Sequence, residues 1–463
     1  MNSRHTECFQ VLAVGCGPFN LSLAALASGI DDLSFVALDS SPEFRWHPGL
    51  MLDDATLQVS FLADLVSLVE PTHRLSFLAY LKARDRMYPF YVRERFHITR
   101  REYEDYLRWV ITELSSVRFS HTVERVEWCD ERRRFLVRVR TGDGAHRSFE
   151  ANHLALGIGT EPFVPELLRS LPATRTSHSS DYLGRVEDMT RASHVTVIGS
   201  GQSGAEIVLD LIRRGRPGKP GISWLTRTVS FAPLDYTKLV LEMTTPEYVD
   251  YFHGLPEARR DALVTEQWRH YKGISTATLE EVHEELYRRL AHFGSTHVEL
   301  RSGTSVESAR VGKTGLKLLC RHRDTGESFE HDTDFVVTAT GYRHRAASFL
   351  EPIDARLLRD GAGRWAIRRD HSIETDSMVT GKIFVANGDL HSHGVAAPDL
   401  GIGAYRAATM LNSICGRVVF ELPKQTAFSD FAIPCTSDGT ERPRARPSRD
   451  RSVSFVSSGL VSP

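Results

Sequence analysis

Two glycine-rich turns carry the chemistry that this sequence can offer. The first, Gly15-Cys16-Gly17-Pro18-Phe19-Asn20, ends the apolar run Val11 to Val14 and opens a small-residue amphipathic stretch reaching Ala25. The second, Gly199-Ser200-Gly201-Gln202-Ser203-Gly204, follows the apolar run His194 to Ile198 and is a full GxGxxG. Glycines at this spacing let backbone N–H groups approach a pyrophosphate, and the helix that follows turns its positive end to the anion. In the first turn Asn20 stands where a third glycine is usual. An apolar strand, Ser34 to Leu38, then ends in Asp39, where an acid can bond a ribose hydroxyl. After the second turn the strand Ile222 to Leu225 ends in Thr226-Arg227, and an arginine there suits the 2′-phosphate of NADP. The first site is read as FAD-binding and the second as NADPH-binding. Gly15, Gly17, Pro18, Asn20 and Asp39 belong to the first, and Gly199, Ser200, Gly201, Gln202, Ser203 and Arg227 to the second.

The elements that must position these turns predict an α/β fold: two Rossmann-like dinucleotide-binding domains with a small helical substrate region. The first FAD-binding part is expected over 1–165. Residues 74–86 and 100–115 read as helices, the second with Tyr103, Tyr106, Leu107, Val110 and Leu114 on one face. Residues 118–150 alternate like antiparallel strands, and Leu154 to Thr160 reads as a further buried strand. The NADPH-binding domain is expected over 166–330, with a charged helical insertion at 230–292 beside the substrate. The strands Asp334 to Tyr342 and Lys382 to Gly388 are expected to return to the FAD sheet, so that 331–425 completes the FAD-binding domain. The polar, Pro- and Arg-rich stretch 436–463 reads as disordered.

The 463 residues suffice for two or three domains with full cores. A formal net charge of −2 gives no electrostatic reason to expect nucleic acid or an anionic membrane. No apolar run approaches the ~18 residues of a membrane span, and the N-terminus has no apolar signal core. Cys8, Cys16, Cys129, Cys320, Cys415 and Cys435 form no CxxC pair, which argues for a reducing cytoplasm and against a disulfide framework or a dithiol centre. A homo-oligomer is left open.

Blander readings stand beside these. Gly201-Gln202-Ser203-Gly204-Ala205 is close to a GxSxG nucleophile elbow, but its last position is Ala and GxGxxG overlaps it. His391 and His393 form an HxH without further nearby ligands, read as structural or flavin-adjacent, and no metal is expected. The run Glu280, Glu281, Glu284, Glu285 is a solvated helix face.

The first turn and its helix (GCGPFNLSLAA), Phe44 to Met51, Leu57 to Val66 (LQVSFLADLV), Gly199 to Glu206 (GSGQSGAE), Ala339 to Tyr342 (ATGY) and the late His-Gly segment resemble a known family over about residues 8–425. It is that of the microbial N-hydroxylating monooxygenases, the lysine, ornithine and diamine N-hydroxylases of hydroxamate siderophore biosynthesis. The resemblance implies that NADPH reduces FAD and that reduced flavin and O2 give a C4a-hydroperoxide, shielded from water by bound NADP+. A neutral primary amine then attacks the distal oxygen. It places Gln58, the expected catalytic residue, at the flavin edge, with Trp46 and His47 along the isoalloxazine. Thr340, Gly341 and His393 join the expected cofactor-binding residues.

The resemblance also points to the substrate. Similar ornithine enzymes carry a Lys in FLKDL that pairs with the substrate carboxylate; here that position is Ala63. Their Asn in NYS falls within Tyr271-Lys272-Gly273-Ile274-Ser275, where no Asn is present, and the Ser of LLS corresponds to Gly401. Losing all three implies a substrate without a carboxylate: a linear diamine, putrescine or cadaverine, as in the alcaligin- and desferrioxamine-type branch. Lys272 is the residue that could supply a replacement cation. Asp235 and Glu242 are candidates, by location alone, for the distal ammonium. The alternatives are L-lysine N6- or L-ornithine N5-hydroxylation and, from other classes, a flavin-dependent NADPH disulfide reductase or a nonenzymatic NADP(H) sensor.

Overall fold

The apolar run before the first glycine turn becomes the strand Glu7–Val14, and it reads as continuously apolar because both faces of its second half are buried. Val11 and Ala13 point into one buried core, Leu12 and Val14 into another on the opposite face of the sheet. Phe35–Leu38 pairs parallel on one side of this strand and His146–Leu156 parallel on the other. The seven-stranded sheet continues through Arg134–Thr141 and His121–Cys129 as an antiparallel meander, and Val117–Arg118 closes the far edge. Helix α1, Pro18–Ala27, packs on one face with the helices Arg100–Thr112 and Gly403–Cys415. Tyr103, Tyr106, Leu107 and Val110 are buried there, as their spacing predicts. The computed structural model describes residues 6–216 and 218–432, and one compact unit ending at Ser429 holds these elements. The stretch 436–463 lies outside the described residues.

The second sheet is five-stranded and parallel, in the order Val298–Arg301, Gly221–Leu225, His194–Ile198, Phe335–Thr338, Thr176–His178. Helix α2, Gln202–Arg214, follows the second glycine turn. Helix α3, Thr276–Phe293, runs from Gly221–Leu225 towards Val298–Arg301 and packs on the same core through Leu279, Val282 and Leu286. Helix α3 is therefore the crossover of a Rossmann unit, and the insertion ends near residue 275, not 292. The parallel bridge between Pro233 and Ile274 closes its base. The glutamates on the outer face of α3 hide in sequence the apolar stripe beneath them.

The expectation that 331–425 returns to the first sheet holds only in part. Phe335–Thr338 lies inside the second sheet, and only Ile383–Val385 joins the first, parallel to Leu154–Leu156. An apolar run buried on both faces fits any parallel sheet, so its residues do not say which sheet receives it. The expected strand from Leu154 is also the end of one long strand, His146–Leu156, whose first half pairs with the meander and whose second half receives Ile383–Val385. The chain crosses between the two sheets twice, and the crossings pair antiparallel as Thr160–Pro162 and Tyr342–His344.

Candidate functional site

Both glycine turns are built as dinucleotide cradles. Gly15 has φ 90°, and a Cβ there would run into the carbonyl of Gly157. Gly17 caps α1 with Pro18 at its first turn and no side chain on the free N–H groups, and a Cβ on Gly17 would meet only open space. Gly199 has φ 122° with the Ala339 carbonyl against it, and Gly201 caps α2, again without a side-chain partner. Gly204 lets α2 approach the Gly199 carbonyl, which also accepts a 2.7 Å bond from Trp224 Nε1. Ser200 is tied to Thr226 and Thr228 by hydroxyl bonds of 2.7 and 3.0 Å. Two uncapped helix ends, each reached through a glycine turn, fit two dinucleotides.

Asn20 proves to be a brace. It is 1% exposed, and its Nδ2 donates to the carbonyls of Gly15 at 2.8 Å and Val14 at 3.2 Å. A close-packing glycine is thus replaced by an amide that satisfies strand-end carbonyls, while Gly157 supplies the space. Asp39 accepts from the backbone N–H of Cys16 and of Ser41, both at 2.8 Å, so it fixes the turn from the strand end expected to face a ribose.

A cavity of about 550 Å³ opens on the end of α1. Gly17, Pro18, Asn20, Trp46, His47, Gln58 and Ser203, all expected to bind cofactor, line it. The opposite wall carries Leu234, Tyr236, His270 and Tyr271 from the insertion, with Asp399 and Leu400 from the return segment. Gln58 Nε2 donates to Gln202 Oε1 at 3.3 Å, and Gln202 Nε2 donates to Glu206 at 2.8 Å and to Thr278 at 2.9 Å. Glu206 in turn receives a two-pronged bond from Arg100 at 2.6 and 2.8 Å. This chain of bonds ties the two halves of the molecule across the cavity floor. His47 holds a left-handed backbone, φ 50°, with its ring 5.0 Å from Trp46. The protein packed around it, then the neighbouring Arg100, lowers its pKa to about 4, although the residue keeps an exposed surface.

Several expected residues lie elsewhere. Thr340 donates to the Phe163 carbonyl and Gly341 turns the chain at φ 84°, so both build the crossing, while their neighbour Tyr342 lines the cavity. His393, 1% exposed, is stacked 4.0 Å from His371. With Asp389 they form a buried trio whose polar atoms lie within 4.8 Å, joined by a 2.7 Å bond between His371 Nδ1 and Asp389. His393 thus sits in the core, outside the cavity lining. Ala63 is buried beside Asp64, whose carboxylate accepts three backbone N–H groups, and it does not reach the cavity.

Lys272 corrects an expectation too. Its carbonyl lies near Gly201, and its pKa is lowered by burial and then by Arg227. It therefore stands with Arg227 on the second turn, away from the cavity lining. Among the described residues no carboxylate pairs with Arg227. Glu242 accepts from the backbone of Phe428 and Ser429, and Asp235 from Thr237, so neither candidate for the distal ammonium lines the cavity. Gly401 also lies outside the lining but donates its N–H to Asp399. Sequence reasoning missed Tyr236, Asp399, Arg100 and Tyr342. Asp399 had a signal, being two positions before Gly401 in the same segment; Tyr236 and Arg100 had none.

A mixed sheet and a parallel one, two glycine cradles and a shared cavity define a two-dinucleotide oxidoreductase. The sequence signature of the L-lysine 6-monooxygenase/L-ornithine 5-monooxygenase family matches residues 7–344, and the chain belongs to that family. It is 37% identical to the putrescine N-hydroxylase of Shewanella oneidensis, over 94% of this chain and 86% of that one. The FAD-bound crystal structure of the desferrioxamine-pathway cadaverine monooxygenase of Erwinia amylovora superposes with a TM-score of 0.88 at 36% identity, over 94% of this chain and 100% of that one. The Kutzneria ornithine N-hydroxylase with reduced FAD, NADP+ and L-ornithine gives a TM-score of 0.82 at 26% identity, over 88% of this chain and 99% of that one. Among the described residues no helix is long and apolar enough to cross a membrane.

Proposed function

We propose that this chain is an FAD- and NADPH-dependent monooxygenase of the cytoplasm that hydroxylates one terminal nitrogen of a short linear diamine, putrescine or cadaverine, with O2, for hydroxamate siderophore assembly. The observation that carries the diamine reading is the state of the cations in the cavity wall. Arg45 is paired with Glu43 at 2.6 Å and Arg100 with Glu206 at 2.6 Å, and no lysine lines the cavity. A substrate carboxylate brought to Arg100 would have to compete with Glu206, and one left unpaired in the cavity would cost several kcal/mol. The names of the relatives support the same reading.

Gly17 and Pro18 would hold the FAD pyrophosphate, with Asp39 towards its ribose and Trp46, His47 and Gln58 around its ring. Gly199, Ser200, Gly201 and Ser203 would hold the NADPH pyrophosphate, and Arg227 with Lys272 its 2′-phosphate. Bound FAD, reduced by NADPH, supplies the activation of O2. The chain supplies position and dryness. Trp46, Tyr342 and Leu234 wall the cavity, and Gln58, held by Gln202, fixes a polar edge within it. An alkylamine has a pKa near ~10.4 and must shed its proton to react, and His47, neutral above pH about 4, adds no charge beside it.

The test is hydroxylamine formation, measured as product rather than as NADPH consumed, with putrescine, cadaverine, L-ornithine and L-lysine side by side. Product from the diamines alone is expected. Product mainly from an amino acid overturns the substrate assignment.

A further inference from the structure

The carboxylate that lines this cavity is built to receive a cation. Asp399 lies in the wall. Tyr236, from the insertion, donates its hydroxyl to Asp399 Oδ2 at 3.0 Å, and the Gly401 N–H donates to Oδ1 at 2.6 Å. Each oxygen keeps acceptor capacity beyond these bonds. Among the described residues no Lys, Arg or His forms an ion pair with it. The buried cation Arg406 acts on Asp399 through its charge and makes no hydrogen bond to it; it donates to the Ala397 carbonyl at 2.6 Å and lies over the Phe19 ring. A 4%-exposed carboxylate elsewhere in this chain, Asp64, takes its bonds from a local turn. Asp399 takes one of its bonds from a residue 163 positions away in the same cavity wall.

Gly401 explains itself in this setting. A Cβ there would stand 3.0 Å from Asp399 Oδ1, tighter than such contacts ordinarily are. Any side chain at 401 therefore presses on the carboxylate whose N–H bond it should complete. Glycine at 401 is what leaves room for the acid.

Resting on the diamine reading above, we infer that Asp399, positioned by Tyr236 and the Gly401 N–H, binds the distal ammonium of the substrate and sets the preference for a diamine over a monoamine. A charged hydrogen bond between a desolvated carboxylate and an ammonium is among the strongest contacts available to so small a ligand. It also holds the far end of the chain, so that the other nitrogen is the one presented for reaction.

The experiment compares kcat/KM for putrescine and for n-butylamine, which lacks the distal nitrogen, in the flavin-loaded enzyme. Product hydroxylamine is the readout, with flavin content and circular dichroism as controls for folding. In Asp399→Asn the putrescine-to-butylamine ratio should fall at least 30-fold, through KM for putrescine. In Gly401→Ala and Tyr236→Phe, which keep the acid but disturb its setting, the ratio should fall 3- to 10-fold in the same way. These two carry the test if Asp399→Asn does not fold. Wild-type enzyme active on diamines, with the ratio within threefold in all folded variants, overturns the role of Asp399 alone. Wild-type enzyme inactive on both diamines overturns the role together with the diamine reading.

Discussion

At the scale of the residue, the site is set by which charges are already satisfied. Arg100 and Glu206 are nearly buried and bound to one another, and Gln202 joins them to Gln58. Removing one charge of such a pair strands the other, so Glu206→Gln should lower stability by about 3 kcal/mol in urea titrations. It should also raise KM for NADPH, because Gln202 and Ser203 open α2. Arg227 and Lys272 are the opposite case, two neighbouring cations: burial first, then the charge of Arg227, lowers the pKa of Lys272. A 2′-phosphate would relieve their mutual repulsion. Arg227→Ala should raise KM for NADPH 10- to 100-fold while leaving NADH little changed, and assays with the two nucleotides check it. The sequence exposes such residues unevenly. Trp46, His47 and Gln58 could be named because they sit in strings that resemble a family; Tyr236 and Arg100 could not, because their roles arise from contacts across 163 and 106 positions.

At the scale of the element, the glycine turns were legible because their chemistry is local. A strand, a positive φ and an uncapped helix end all lie within about ten residues. Gly15→Ala and Gly199→Ala each add a Cβ against a backbone carbonyl and force an unfavourable φ, a strain of order 1–3 kcal/mol before any movement of the turn. The first variant should purify with little flavin, read from its absorbance near 450 nm. The second should keep its flavin and lose NADPH affinity at least tenfold. What was not legible is partnership between elements. Phe335–Thr338 and Ile383–Val385 are both short apolar runs, yet they enter different sheets. Helix α3 looked like part of the insertion because its outer face is charged, although its inner face completes a Rossmann crossover.

At the scale of the whole molecule, several buried histidines make stability depend on pH. His371 and His153 have pKa values lowered to about 4, chiefly by burial, with Lys382 adding to the effect at His153. Unfolded, each titrates near its ordinary ~6.5, so between pH 6.5 and 4 the unfolded chain binds more protons than the native one. Native stability should therefore fall as pH drops through that window, by up to about 1.4 kcal/mol per pH unit for the buried His371 and by less for the half-buried His153. Urea midpoints at pH 7.5, 6 and 5 measure it, and a flat profile would contradict it. The late strand of the first sheet has a different consequence. Lys382 meets His153 at a sheet edge from 229 positions further along the chain, and until then Leu154–Leu156 has no strand on that side. On the ribosome, the amino-terminal part must wait, with apolar backbone bare, for most of the polypeptide to be made. Nascent chains arrested before residue 383 should be digested readily by protease and should engage chaperones, and protection should appear only once Ile383–Val385 has cleared the exit tunnel.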